Sequence, residues 1–190
     1  AALSTQNFTT ATDSYNTAVG YFAGQSVTTG TSNTLIGGLA GDALSTGYEN
    51  VAVGLNALTT DDVGARSVAV GTGALRDQNM ATETSVYNVA IGHFAGGILT
   101  TGVYNTVVGG LAGDALTDAD YNVAVGTNAL GADTLGSRST AIGQGALQTQ
   151  NFTTATDAYN TAVGTLAGQA ITTGTNNTFV GGLAGDGTND

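Results

Sequence analysis

Along this chain the apolar positions recur in short alternating runs set between small polar residues. The run Asn16-Thr17-Ala18-Val19-Gly20 comes first, and its pattern returns with the closing Gly at positions 20, 37, 54, 71, 92, 109, 126, 143, 164 and 181. The place of Thr17 holds Thr or Val in every copy, and the place of Val19 holds Val or Ile. Two residues apart on a strand, these side chains share one face, and Ala18 points to the other. That second face is apolar as well: Ala in seven copies, and Leu35, Val107 and Phe179 in the remaining three. A strand with two apolar faces is normally covered on both sides. One face is expected to close the interior of its own coil, and the other to require a neighbour.

The steps between successive Gly residues are 17, 17, 17 and 21, then 17, 17, 17 and 21, then 17. A fixed short period of this kind is the signature of a solenoid. The predicted fold class is therefore all-β: a parallel β-solenoid of about ten coils of 17 or 21 residues, forming a single domain over residues 1–190. Four coils make a longer cassette, giving units at 6–77 and 78–149 and a partial third at 150–190, with no linker between them. The four extra residues of every fourth coil are expected to form loops on one side of the rod. No apolar pattern at i, i+3, i+4, i+7 predicts a helix. Coils spaced about 4.8 Å apart make a rod on the order of 45–50 Å long.

The repeated places have structural readings. Asn16, Asn88 and Asn160 open first coils, and an Asn there suits a turn and a side-chain ladder running from coil to coil; Ser67 and Ser139 replace it in two coils. Val19, Ile91 and Val163 are strand positions, and Gly20, Gly92 and Gly164 mark a sharp turn or a close backbone approach. Thr-Thr-Gly at 28–30, 100–102 and 172–174 reads as strand end and turn.

Composition changes this picture in two ways. With 30 Gly, no Pro and 9% charged residues, the choice lies between disorder and repetitive β structure. Disorder goes with high charge, abundant Pro and few β-branched residues, whereas Val, Ile and Thr here return at fixed places. The net charge of -11 rests on 14 acids against Arg66, Arg76 and Arg138 alone. Phosphate recognition relies on clustered Lys and Arg, so nucleic acid is not expected as a partner, nor is an anionic membrane surface. The acidity reads as solubility for a long neutral surface. There is no Cys, hence no disulfide framework, and no apolar run long enough for direct membrane insertion. Both ends read as cut from a longer array.

A thin core of Ala, Val and Ile gains from side-to-side association, which would cover the second apolar face. At roughly 25 cal/mol per Å², a modest area repeated over ten coils matters beside a net stability of about 5–15 kcal/mol. A homo-oligomer is expected.

Ser67-Val68-Ala69-Val70-Gly71-Thr72-Gly73-Ala74-Leu75, Asn88-Val89-Ala90-Ile91-Gly92 and Ser139-Thr140-Ala141-Ile142-Gly143 resemble the YadA-like head repeats of trimeric autotransporter adhesins. That family's motif runs Asn-Ser-Val-Ala-Ile-Gly, and similar repeats occur in phage tail fibres and other surface fibres. The resemblance spans nearly the whole chain. It implies a left-handed β-roll, three chains side by side about a common axis, and an extracellular location on a bacterial cell surface or a virion fibre.

Catalytic and metal chemistry finds little purchase. His93, the only histidine, occupies a place held by Tyr21, Gly38, Leu55 and Thr165 in other coils and reads as surface decoration. Asp61, Asp62, Asp118, Asp120 and Asp133 read as turn acids. A calcium site needs converging oxygens, and the Gly-Gly-x-Gly-x-Asp spacing of calcium β-rolls is absent. No strained Gly-x-Ser-x-Gly turn surrounds a serine. No enzyme activity, cofactor or metal is expected.

The aromatic residues are the better binding candidates. Tyr15, Tyr87 and Tyr159 precede the Asn of each first coil, and Phe8, Met80 and Phe152 fall in the four-residue insertions. These six are expected to form exposed loops for attachment, repeated once per cassette; Tyr48, Tyr104 and Tyr121 fall in other turns. Exposed aromatics suit recognition surfaces, and repetition supplies avidity. The expected role is a structural and adhesive segment of an extracellular fibre that meets a host surface protein or glycan. A phage tail-fibre shaft and a self-assembling filament subunit are the alternatives. Ice binding ranks below them, because Thr-x-Thr is not found in every coil.

Overall fold

The computed structural model describes residues 1–187. It is all-β with no helix among the described residues, a parallel β-solenoid of about ten turns. In chain order the strands are β1 (Thr17–Val19), β2 (Thr34–Ile36), β3 (Val51–Val53), β4 (Gly64–Ala65), β5 (Val68–Val70), β6 (Thr84–Ser85), β7 (Val89–Ile91), β8 (Thr106–Val108), β9 (Val123–Val125), β10 (Gly136–Ser137), β11 (Thr140–Ile142), β12 (Thr156–Asp157), β13 (Thr161–Val163) and β14 (Thr178–Val180). Ten of them form one parallel sheet in the order β1-β2-β3-β5-β7-β8-β9-β11-β13-β14. Its register is that of the repeat: Thr17 pairs with Thr34, Val51 with Val68, and across the insertion Val68 with Val89. The insertions themselves are tied down by the short parallel pairs β4–β6 and β10–β12. Thr28-Thr29-Gly30 and its counterparts lie in bends outside any strand.

The alternation along each strand decides what is inside. Leu35, Ala52, Ala69, Ala90, Val107, Ala124, Ala141 and Ala162 are fully buried and form one column of the core. The alanines that follow each turn, from Ala23 to Ala167, form a second. Outward-facing residues remain open: Val19 is 59% exposed, Ile91 41% and Ile142 40%. So one apolar face closes the coil, and the other lies uncovered on the single chain.

Close stacking needs the glycine that ends each strand. Gly92 has φ +138°, and a Cβ built on it would lie 2.4 Å from the carbonyl oxygen of Gly109 in the next coil. From Gly20 to Gly164 each of these glycines is both in a conformation that side chains resist and in contact with backbone.

The larger core side chains change place in mid-cassette. In the first two coils Gly24 and Gly41 turn the backbone, and Val27 and Leu44, three residues on, fill the interior. In the next two, Leu58 and Leu75 occupy the same left-handed backbone, at φ 51° and 47°, and fill it themselves. A left-handed leucine costs roughly 1–2 kcal/mol, which burying the side chain, worth about 1.5–3 kcal/mol, offsets. The places of Val27 and Leu44 then fall to Asp61 and Gln78, also fully buried.

Candidate functional site

Two polar or aromatic columns run along the rod, one inside it and one on its surface. The inner column is the asparagine ladder. Asn33 Oδ1 accepts the backbone N–H of Asn50 at 3.0 Å, while its Nδ2 donates to the Gly47 carbonyl at 2.8 Å. The same two bonds recur at Asn16, Asn50, Asn88, Asn105, Asn122 and Asn160. Asparagine suits this place because its amide carries both an acceptor and donors.

The ladder breaks at Ser67 and Ser139, where the coil takes its insertion. At these two places Gln78 and Gln150 bridge instead. Gln78 Nε2 donates to Asp61 Oδ2 at 2.6 Å and to Ser67 Oγ at 3.0 Å, and its Oε1 accepts from Asn88 Nδ2 at 3.0 Å. Asp61 Oδ1 also accepts the backbone N–H of Gly64 at 2.9 Å and of Met80 at 3.3 Å. Asp133, Ser139, Gln150, Phe152 and Asn160 repeat the arrangement. Burial raises the Asp61 carboxyl above the ordinary aspartate range, against the hydrogen bonds from Gln78, Gly64, Met80 and Val63. Among the described residues, every buried side-chain nitrogen and oxygen has a hydrogen-bond partner.

This arrangement corrects two expectations. Asp61 and Asp133 are not exposed turn acids; each is sealed in the core and anchors the backbone of the insertion. Met80 and Phe152 are not exposed either, at 5% each: their backbone N–H groups are held by Asp61 and Asp133, and Phe152 packs beside Gly136. A Cβ at Gly136 would stand 2.7 Å from the Phe152 ring and 2.1 Å from Asp133 Oδ2. Phe8 is half-buried.

The tyrosines behave as an exposed set, with Tyr15 at 74%, Tyr87 at 46% and Tyr159 at 52%. Sequence reasoning assigned Tyr104 and Tyr121 to unrelated turns. They stand in the same column as Tyr87, one residue ahead of the ladder asparagine, and that spacing is the signal that finds them. Tyr87 and Tyr104 stack with centroids 5.6 Å apart, and Tyr104 and Tyr121 at 5.0 Å with planes 3° apart. Arg138 lies 4.7 Å from the Tyr121 ring and 5.9 Å from Tyr159, and Arg66 lies 5.6 Å from Tyr87. Glu49 and Asp157 pair with these arginines at 2.8 and 3.0 Å. Every residue of this column is left-handed, from Tyr15 at φ 49° to Asn176 at 59°. Stacking of about 0.5–1.5 kcal/mol per pair meets part of that backbone cost.

His93 is exposed and packs edge-on against Phe94 at 4.6 Å. No cavity opens among the described residues, no group of His, Cys, Asp and Glu among them is placed to hold a metal ion, and none of their helices is long and apolar enough to cross a membrane. Compared with protein-family models, curated proteins and solved structures, the chain matches none of them significantly.

Proposed function

We propose that this chain is a structural and adhesive segment of an extracellular fibre, formed by three copies packed side by side as a left-handed roll. The observation that carries the reading is the uncovered apolar face. It consists of two straight columns, Thr or Val at the place of Thr17 and Val or Ile at the place of Val19, extending over all ten strands of the sheet. A continuous apolar strip of this kind marks an association surface. A second copy presents the same columns at the same spacing, so a symmetric contact between copies repeats in every coil. The resemblance of the repeats to YadA-like heads supports three copies about one axis, and it supports attachment to a host surface protein or glycan as the task of the outer surface.

A phage tail-fibre shaft uses the same architecture for spacing and stiffness, and places the segment on a virion in place of a bacterial surface. The sequence flanking this chain distinguishes them: a membrane-anchoring barrel supports the adhesin, a baseplate-attachment region the tail fibre.

Sedimentation at micromolar concentration tests the oligomer. The expected species is three times the 18.6 kDa of one chain. A folded, stable monomer overturns the reading.

A further inference from the structure

We propose that the column Tyr87–Tyr104–Tyr121, bracketed by Arg66 and Arg138, binds an extended polysaccharide strand lying along the axis of the solenoid. The proposal rests on the attachment role above and gives it a ligand class and a place.

The first observation concerns backbone. The place ahead of the ladder asparagine is left-handed in every coil, a conformation that Gly and Asn adopt most readily. Asn176 and Ser32 show that a small polar residue fits there. Of the leucines at other left-handed places, Leu58, Leu75, Leu130 and Leu147 are completely buried, so core packing accounts for them, whereas Leu111 and Leu183 are exposed and make no ring stack of the tyrosine kind. Tyr87, Tyr104 and Tyr121 are 46%, 43% and 46% exposed, and core packing accounts for none of the three. Large side chains held on an unfavourable backbone at the surface point to a use at that surface.

The second observation concerns shape. The rings repeat at 5.6 and 5.0 Å from coil to coil, and no cavity opens beside them among the described residues. A compact small molecule has nowhere to be enclosed, whereas a long ligand can contact one ring per coil. An extended β-linked sugar chain advances by a similar length per ring, so successive sugars meet successive phenols. Because the tyrosines stack on one another, what they offer outward is ring edges and hydroxyls, an amphipathic surface matched to a ligand with apolar C–H faces and many hydroxyls.

The third is charge. Two of the three basic residues stand at the ends of this column, each already paired with an acid. The net charge of -11 disfavours a nucleic-acid strand, which would otherwise suit a row of aromatics. The paired arginines leave hydrogen-bond donors for the hydroxyls of neutral sugars without a strong positive field.

The test is titration of the intact chain with hexasaccharides of β-1,4-linked glucose, β-1,4-linked N-acetylglucosamine and β-1,4-linked mannose. The chain has no Trp and seven Tyr, so its intrinsic emission reports tyrosine directly. At least one hexasaccharide is expected to bind with a dissociation constant below about 1 mM, at least tenfold more tightly than its disaccharide. The triple variant Tyr87→Asn, Tyr104→Asn, Tyr121→Asn is expected to lose at least tenfold in affinity while keeping its circular dichroism. If that variant does not fold, Tyr104→Phe, which keeps the ring and removes the hydroxyl, is expected to weaken binding severalfold. No binding by any of the three sugars, no dependence on length, or wild-type affinity in whichever of these variants folds overturns the proposal. The oligomer reading fails separately, as a folded monomer in sedimentation, and the sugar titration does not depend on it.

Discussion

Gln78 reaches across one coil to place its amide nitrogen 2.6 Å from Oδ2 of Asp61, and neither side chain touches solvent. The pair stands where Val27 and Leu44 stand two coils earlier, and it is repeated as Gln150 and Asp133. Its presence follows from the insertion. Four additional residues interrupt the asparagine ladder, and the freed backbone N–H groups need an acceptor inside the core. The Asp61 carboxylate supplies it, and Gln78 joins that carboxylate to Asn88, where the ladder resumes.

Replacing Asp61 by Asn should therefore destabilise the fold at mildly acidic pH, by about 1–3 kcal/mol. An amide keeps one acceptor for Gly64 and Met80 but turns its NH₂ toward the NH₂ of Gln78. Chemical denaturation at pH 5 of wild type and Asp61→Asn measures the difference.

The same carboxyl sets a pH dependence. Burial raises its folded-state value above 3.8, so the folded chain holds the proton more firmly than the unfolded chain does. The stability this group contributes is then fully present below 3.8 and is lost as pH rises through the raised folded-state value. Wild type is expected to lose stability as pH rises from 3.8 through the raised folded-state value, with a shallower slope in Asp61→Asn, so that the gap between the two narrows as pH rises. Denaturant midpoints across that range give the slopes; equal slopes would remove Asp61 as their source.

How much of this was legible in the chain depended on whether a residue acts through the period or against it. Thr17, Ala18, Val19 and Gly20 repeat without interruption, so strand, register and turn followed from counting. Asn16 was recognisable as a ladder residue because its amide carries an acceptor and donors on separate atoms. Asp61 and Met80 were misread because they depart from the period. An acid beside Asp62 looks like a solvated turn, and only the fold shows that two backbone N–H groups and Gln78 converge on it. The tyrosine column was half legible. Tyr15, Tyr87 and Tyr159 were found by the cassette period, while Tyr104 and Tyr121 answer to the shorter coil period and were passed over.

Gly92→Ala tests coil stacking. The added methyl would meet the Gly109 carbonyl oxygen at 2.4 Å from a backbone at φ +138°. Neither atom is the end of a flexible side chain, so the coils must separate locally. The expected loss is about 3 kcal/mol, from the strained conformation and the overpacking together. Thermal unfolding would show it, with Gly110→Ala, where a Cβ meets nothing within 4 Å, as the mild control.

Asn105→Ala should cost roughly 2–4 kcal/mol, since it orphans the Asn122 N–H and the Ala119 carbonyl, both buried. Asn105→Ser separates position from chemistry. Serine is native at Ser67 and Ser139, yet there Gln78 and Gln150 complete the bonding. No glutamine reaches Asn105, so Asn105→Ser is expected to be nearly as damaging as Asn105→Ala. A serine variant with wild-type stability in urea unfolding would show that the hydroxyl suffices unaided.

Ile91→Asp addresses the uncovered face. Ile91 is 41% exposed on a single chain, and its strand neighbours Val70 and Val108 flank it in the outer column. On an isolated solenoid an aspartate there keeps its water, and the change should lie within about 1 kcal/mol. In a side-by-side assembly the same carboxylate is buried in each copy without a cationic partner, at a cost of several kcal/mol per copy. The two situations give opposite results. If the face is the contact between copies, the wild-type melting temperature falls with dilution, and Ile91→Asp converts the assembly to a monomer whose lower melting temperature does not depend on concentration. If the face is free, sedimentation and melting temperature both stay near those of wild type. Glu49→Gln, on the tyrosine column, controls for the loss or gain of one charge, because it changes net charge without touching the apolar columns.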